Sequence, residues 1–217
     1  MRIHGRGTSE GEASILRAER GSSEFQREAR LEDRSTMGSL SVLCGIPQLG
    51  EITQSKLSSM GFHVNHIAST KLVLDFPFDY GRRTLEMLRD SHLQLIVATW
   101  NPCKEYIEDL WDLEPRALLA GEILQKQDLA ETLSEVIDRT SNGEHYRLTL
   151  GPSTLLTRRE RSVLRCVARG WHNRQVAQAL HIEEQTVKNT LRSVYRKLGI
   201  CSHAQAALYY WGLFQQL

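Results

Sequence analysis

The chain has 217 residues, with 27 Lys/Arg against 26 Asp/Glu, which is enough for one large domain or two small ones. Its apolar runs fall short of the roughly 18 residues that cross a bilayer, and no apolar signal segment follows Met1, so we expect a cytoplasmic protein without membrane contact. Cys44, Cys103, Cys166 and Cys201 are scattered without metal-ligand spacing, so we expect no disulfide, metal or other cofactor.

The charge is divided unevenly along the chain. Residues 1–36 carry seven Lys/Arg and seven Asp/Glu, and residues 37–150 carry ten against sixteen. Residues 151–217 carry ten Lys/Arg against three Asp/Glu, a net charge of +7. An acidic part joined to a basic part indicates that only the C-terminal part meets a polyanion.

Residues 1–36 mix charged side chains with Gly and Ser and show no hydrophobic periodicity. Such a segment buries too little apolar surface to offset the conformational entropy that ordering costs. We therefore expect a disordered leader, with a loose helix around Ile15–Leu31 as the alternative.

Residues 37–141 alternate short apolar runs with amphipathic stretches. Five runs are typical of buried strands: Ser41–Cys44, Phe62–Val64, Leu72–Leu74, Leu95–Ala98 and Ala117–Ala120. Two sets of apolar residues have helical spacing: Ile107, Leu110 and Trp111, then Leu129, Leu133, Val136 and Ile137. The pattern predicts an α/β domain, a parallel sheet with helices on both faces.

Two stretches complicate this outline. Only a short connection around Ser69–Lys71 separates the second and third runs, which leaves no room for a helix. Either these two strands form a hairpin, or one of them is not a strand. After the last predicted helix, Asn142-Gly143 and Gly151-Pro152 break the pattern and predict a linker over 142–154.

Residues 155–217 predict an all-α domain of four helices. The residues expected to start or stop them are Thr157 with Glu160 (a capping box), Gly170, Asn173, Glu184, Leu198 and Ser202. In the third helix the apolar stripe is Val187, Leu191, Val194 and Leu198. The opposite face carries Gln185, Asn189, Arg192 and Arg196, with Lys188 on its flank. Such a face suits the major groove of DNA, although it also fits the solvated side of any amphipathic helix.

This region resembles the DNA-binding domain of the LuxR/NarL family. The resemblance rests on Leu156–Leu164, Gly170, Asn173, Val176-Ala177, Thr186–Asn189, Leu191 and Arg196–Gly199. It implies a helix-turn-helix whose third helix enters the major groove of double-stranded DNA. Carried over by position, Lys188, Asn189 and Arg192 face the bases, and Thr186 and Lys197 lie near phosphates, with Arg196 on the same face. Two positions depart from the family: Gln175 replaces the usual Glu, and Glu183 replaces the usual capping Ser or Thr.

The preceding domain resembles the receiver of NarL-type response regulators, but not in its active site. Receiver chemistry requires a carboxylate cluster for Mg²⁺, an acceptor Asp, a hydroxyl side chain and a Lys. Here Cys44-Gly45-Ile46-Pro47 stands where the family has its acidic pair, and the Lys position falls at Ala120 or Gly121. Thr99 falls at the hydroxyl position, and Asp75 is either a phosphoacceptor or an ordinary strand-end residue. We expect an atypical receiver that works without phosphorylation.

Two other input signals would depend on single residues. Trp100-Asn101-Pro102-Cys103 resembles a cyclic-dinucleotide motif of the family only in its Trp and lacks the Arg. A redox sensor at Cys44 or Cys103 would need a lowered thiol pKa, for which Lys104 is the neighbouring cation.

The sequence thus predicts a non-enzymatic transcriptional regulator that binds DNA as a homodimer. The aromatic residues Tyr209, Tyr210, Trp211 and Phe214 either face a partner subunit or pack on the third helix. Another regulator or RNA polymerase is the further partner that we expect for such a protein. The alternative function is an interaction protein that sequesters another regulator by heterodimerisation.

Overall fold

The computed structural model describes residues 37–121, 129–149 and 154–213. The predicted leader (1–36), part of the predicted linker (150–153) and Phe214 lie outside the described residues. None of the helices in the described ranges has the length and apolar character needed to cross a membrane.

Six parallel strands form a single sheet in the order β2-β1-β3-β4-β5-β6. Their bounds are β1 Met37–Cys44, β2 Phe62–Val64, β3 Thr70–Leu74, β4 Gln94–Thr99, β5 Ala117–Ala120 and β6 Tyr146–Leu148. The five predicted strands are all present. The predicted α/β fold with a parallel sheet is therefore confirmed.

Strands β2 and β3 are both present and do not form a hairpin, so both alternatives stated for this stretch are wrong. Both run parallel to β1, on its two sides: β2 pairs with Met37–Leu40, and β3 with Ser41–Cys44. Because β2 ends at the level where β3 begins, the chain crosses β1 through a short loop and needs no returning helix. The Asn65 N–H bonds to the Leu40 carbonyl at 3.0 Å at this crossing.

Helices cover both faces of the sheet. They are α1 Pro47–Ser59, α2 Tyr80–Met87, α3 Lys104–Trp111 and α4 Leu129–Ser141. Alternate strand residues supply two apolar layers: Leu40, Leu72, Leu74 and Ile96 pack with α1 and α4, whereas Val73, Leu95, Val97 and Leu118 pack with α2 and α3. The second layer continues into the C-terminal helices, so the two parts of the chain share a core.

Strand β6 corrects the predicted end of the α/β domain. It lies within the stretch 142–154 that the sequence assigns to a linker, and it pairs in parallel with Ala117–Leu119 of β5. The domain therefore extends past residue 141, at least to Leu148. The sequence hides this strand because it is three residues long, sits at the sheet edge and is only half buried.

The C-terminal domain consists of α5 Arg158–Ala168, α6 Asn173–Ala179, α7 Glu184–Leu198 and α8 His203–Tyr210. The predicted capping box is present: the Thr157 hydroxyl accepts from the Glu160 N–H, and the Glu160 carboxylate accepts from the Thr157 N–H. Gly199 ends α7 at φ 62°, where glycine is favoured. The four-helix prediction is confirmed.

Candidate nucleic-acid interface

Helix α7 separates a buried stripe from an exposed polar face. The buried side chains are Val187, Leu191, Val194 and Leu198, which pack among α5 and α6. The exposed side chains include Gln185, Lys188, Asn189, Arg192 and Arg196. The side of α7 predicted to read DNA is therefore open to solvent while both domains are packed together.

Contacts within α7 hold some of these exposed side chains in place. Lys188 Nζ lies 3.0 Å from Glu184 Oε1, and Gln185 Nε2 donates to Asn189 Oδ1 at 3.2 Å. Surface pairs at this helical spacing contribute only about 0.2–0.5 kcal/mol, so a nucleic acid can displace them. Arg192 has no ion pair within the described ranges, and neither has Arg196.

Lys197 differs from the other predicted contacts because it is already paired. Its Nζ lies 2.7 Å from Glu160 Oε2, and the Ser193 hydroxyl donates to the other carboxylate oxygen at 2.8 Å. Although partial burial opposes ionisation, Lys197, the Thr157 N–H and Ser193 lower the pKa of Glu160 to about 2. The Lys197 ion pair joins α7 to α5, and any phosphate must compete with it.

The two departures from the family pattern have different structural consequences. Gln175 Oε1 accepts from the His172 N–H at 2.9 Å, so the amide supplies the acceptor that a Glu would provide at the start of α6. Glu183 is the N-cap of α7 and makes no side-chain capping bond. The first-turn N–H groups of α7 thus receive no cap from this side chain, and helix N-termini favour anions.

A second cationic surface of the helical domain faces the α/β domain. Arg161 Nη2 lies 2.5 Å from Asp112, and Arg161 Nε lies 3.3 Å from Asp109. Arg165 lies 3.0 Å from the other oxygen of Asp109, and Arg158 lies 3.4 Å from Asp112. The basic face of α5 is therefore held by acidic residues on and beside α3.

Ion pairs between the two domains explain part of the uneven charge along the chain. Arg169 is also paired across the domains, at 2.8 Å from Asp79. Four of the ten Lys/Arg in residues 151–217 thus pair with carboxylates of the α/β domain. The charge division reflects contact between the domains as well as a surface for a polyanion.

The aromatic end of α8 also docks on α3. The Tyr210 hydroxyl donates to Asp109 Oδ2, and the Tyr209 hydroxyl donates to Glu105 Oε2, both at 2.7 Å. The rings of Tyr106 and Tyr210 meet edge to face at 5.4 Å between centroids. Neither alternative predicted for the tyrosines describes these bonds, because their hydroxyls reach the α/β domain of the same chain.

Asp75 lies just past β3 and is fully buried, with 0% of its surface exposed. Its Oδ1 accepts from the Gly81 N–H at 2.8 Å, and its Oδ2 accepts from the Thr99 hydroxyl at 2.8 Å and the Tyr106 hydroxyl at 2.7 Å. Burial raises the pKa of Asp75 despite these three hydrogen bonds. The predicted neighbour Thr99 is in contact with Asp75, and Tyr106 is a partner that the sequence did not reveal.

Comparison with known proteins identifies the family. Residues 154–210 match the model of bacterial regulatory proteins of the luxR family. The nitrate/nitrite response regulator protein homolog of Haemophilus influenzae is 32% identical over 145 residues, which cover 60% of this chain and 67% of that protein. The chain belongs to the LuxR/NarL-type response regulator family.

Other LuxR/NarL-type relatives resemble different lengths of the chain. The transcriptional regulatory protein ComA of Bacillus subtilis is 27% identical over 202 residues, covering 80% of this chain and 86% of ComA. The probable csgAB operon regulator of Salmonella typhimurium is 30% identical over 135 residues; the match covers 62% of this chain but only 56% of that relative's length. RcsB of Salmonella enterica serovar Typhimurium, solved bound to promoter rprA with a phosphomimetic, shares the fold at TM-score 0.51 and 17% identity, covering 79% of this chain and 98% of RcsB.

The described residues of this LuxR/NarL-type chain contain only part of a receiver site. In the described residues no three His, Cys, Asp or Glu side chains are grouped as a metal site requires. Ala120 is buried in β5, and Gly121 has no side chain that could bind a phosphoryl oxygen as a Lys would. Asp75 and Thr99 are thus the parts of a receiver site that the structure brings together.

Cys103 is a buried thiol rather than an activated one. Burial and the Glu105 carboxylate raise the pKa of Cys103 well above its ordinary value. The redox hypothesis required the opposite shift, with Lys104 as its cause. Glu105, which follows Lys104 in the chain, therefore affects the pKa of Cys103 more than Lys104 does.

Contact between the domains was the functional feature missed from the sequence. Its signal was nevertheless present: Arg158, Arg161 and Arg165 repeat at helical spacing. On α3 and its C-cap, Glu105, Asp109 and Asp112 repeat likewise. Two complementary charged stripes in one chain indicate that the helices carrying them meet.

Proposed function

We propose that this LuxR/NarL-type chain is a sequence-specific DNA-binding transcriptional regulator that acts without phosphorylation. The proposal is carried by the exposed cationic face of α7, together with a receiver site in which the described residues provide no cluster of metal-binding carboxylates and no Lys at Ala120 or Gly121. DNA reading of this kind needs a helix face that can enter the major groove. The RcsB structure named above, bound to a promoter, has the same fold.

The residues of α7 predicted to contact DNA divide by the chemistry of their side chains. Lys188, Asn189 and Arg192 are the base-reading candidates, since Lys and Arg donate to guanine edges and Asn pairs with adenine. Arg196 and Thr186 are candidates for phosphate contact. Lys197 is a weaker candidate, because it must first leave Glu160.

We also propose that the regulator binds DNA as a homodimer, with one α7 in each half-site. Helix α8 is engaged with α3 of its own chain through Tyr209 and Tyr210. This contact favours the α/β domain as the place where the two subunits meet. Pairing through α8 would first require the domains to separate.

The test is a DNA titration without any phosphodonor. Fluorescence anisotropy should show tight, salt-sensitive binding of the wild type to fragments that include its own promoter. Lys188→Ala/Arg192→Ala should remove specific binding. The matched control, Arg89→Ala/Lys104→Ala, removes two exposed cations from the α/β domain and should bind as the wild type does.

The alternative is an interaction protein that sequesters another regulator. It predicts that neutralising Lys188 and Arg192 leaves the protein's activity unchanged. Absence of specific DNA binding by the wild type would overturn the regulator proposal and favour this alternative. Specific binding that survives the double substitution would instead overturn the role given to α7.

A further inference from the structure

An apolar cavity of about 200 Å³ lies on the sheet face covered by α1 and α4. Leu72 and Leu74 of β3 and Ala98 of β4 form its floor. Leu57 of α1 and Leu133 of α4 form its walls. All five side chains belong to the buried core, so the cavity is a fixed part of the fold rather than a gap between loops.

The rim of this cavity combines exposed apolar side chains with one cation. Ile52 is 67% exposed and Trp100 is 38% exposed, although both line the cavity. Lys56, one turn after Ile52 on α1, lines it too and is exposed. Thr53 also lines the cavity, but its hydroxyl already donates to the Leu49 carbonyl at 2.8 Å and so is not free to donate to a ligand. Large apolar side chains left exposed around an apolar cavity are typical of a ligand site.

The cavity opens where α/β sheets commonly bind ligands. Leu74 is the last residue of β3, and Trp100 follows directly after β4. In open parallel sheets, ligands bind outside the carboxyl ends of the strands. At this edge β1 ends in Cys44-Gly45 instead of an acidic pair, so no carboxylate from that position repels an anion.

We propose that the cavity binds a small monocarboxylic acid with an apolar body of about six to eight carbon atoms. A cavity of about 150 Å³ is known to hold benzene, so about 200 Å³ suits a body of this size. The apolar part packs on Leu72, Leu74 and Ala98, and Trp100 covers it. The carboxylate stays at the rim and pairs with Lys56.

The site adjoins the contact between the domains. Asn101 follows Trp100, and its Nδ2 donates to the Tyr210 carbonyl at 3.1 Å while its Oδ1 accepts from the Cys103 N–H at 2.9 Å. An occupant that shifts Trp100 therefore acts one residue from the docked α8. A role for the acid as an input signal rests on the proposed function, whereas its binding to the cavity does not.

Isothermal titration of the full chain with octanoate and with the uncharged octanamide tests the site. We expect saturable binding of octanoate, one per chain, with a Kd below about 1 mM. Octanamide should bind about fivefold more weakly, because an exposed ion pair contributes modestly. Lys56→Gln should weaken octanoate binding to the octanamide level, whereas Lys104→Gln, an exposed Lys elsewhere, should change nothing.

Further results decide whether the cavity is the binding site. Ala98→Leu fills the floor and should abolish binding of both probes, with circular dichroism confirming the fold. No saturable octanoate binding, equal affinity for the two probes, or no effect of Lys56→Gln would each overturn the proposal. The titration contains no DNA, so its outcome is separate from that of the DNA-binding test.

Discussion

The hydroxyl of Tyr210 in α8 donates a 2.7 Å hydrogen bond to the Asp109 carboxylate in α3, across 101 residues of chain. Asp109 is only 3% exposed and also faces Arg161 and Arg165. One buried carboxylate therefore holds two arginines and a tyrosine of the helical domain. A buried charge of this kind is stable only while its partners remain.

Asp109→Asn is expected to loosen the two domains. The substitution leaves Arg161 and Arg165 without their shared counter-charge, and breaking a buried ion pair costs about 3–5 kcal/mol. Small-angle scattering should show a larger radius of gyration, and amide exchange in α8 should be faster. Asp90→Asn, at an exposed acid of the α/β domain, is the control. An unchanged scattering profile and exchange rate for Asp109→Asn would show that docking does not depend on this carboxylate.

Arg196 and Lys197 are adjacent but should contribute differently to DNA affinity. Arg196→Ala removes a cation with no ion pair in the described part of the chain, so the slope of log affinity against log salt should fall by about 1. Lys197→Ala should change the slope less, because the ammonium group is already neutralised by Glu160. Anisotropy at several salt concentrations measures both slopes, with Arg89→Ala as the control. An equal loss for the two variants would mean that Lys197 leaves Glu160 when DNA binds.

Asp75 is expected to resist phosphorylation. Its oxygens accept from Gly81, Thr99 and Tyr106, and the carboxylate has no exposed surface. Incubation with acetyl phosphate and Mg²⁺ should add no phosphoryl group, as measured by intact mass. Asp75→Asn should instead lower the free energy of unfolding by about 1–3 kcal/mol, because it disturbs a buried hydrogen-bond network. A phosphoryl adduct present on the wild type and absent from Asp75→Asn would contradict this prediction.

Local patterns predicted the elements that depend on local physics. The apolar stripe of α7 repeats at helical spacing and needs one buried face, so its bounds could be read directly. The Thr157–Glu160 capping box is likewise a contact between residues three apart. Neither feature depends on how distant segments pack.

Features that depend on distant segments could not be read in this way. Strand β6 exists because β5 offers an open edge, and its three residues carry little signal of their own. The path from β2 to β3 depends on the two strands pairing with different halves of β1. Tyr106 reaches Asp75 across 31 residues, so no sequence spacing indicates the contact.

The stability of the helical domain should depend on pH through Glu160. Its pKa is lowered from 4.5 to about 2 in the folded chain, so the stabilisation is complete above about 4.5 and is lost as the pH falls towards 2. Because Lys197 is partly exposed and solvent screens the pair, this shift contributes on the order of 1 kcal/mol to the free energy of unfolding. Urea denaturation from pH 7 to pH 2 should show the wild type losing this amount relative to Glu160→Gln, which has no such titration.

The comparison isolates one group because the other carboxylates are the same in both proteins. Glu160→Gln should be the less stable protein at pH 7, and the difference should shrink within the window between about 4.5 and 2. Glu51→Gln, at an exposed acid of α1, is the control for the loss of a carboxylate elsewhere in the chain. If the difference between wild type and Glu160→Gln stayed constant across that window, the Glu160 carboxylate would not be stabilised by Lys197, Ser193 and the Thr157 N–H as the structure indicates.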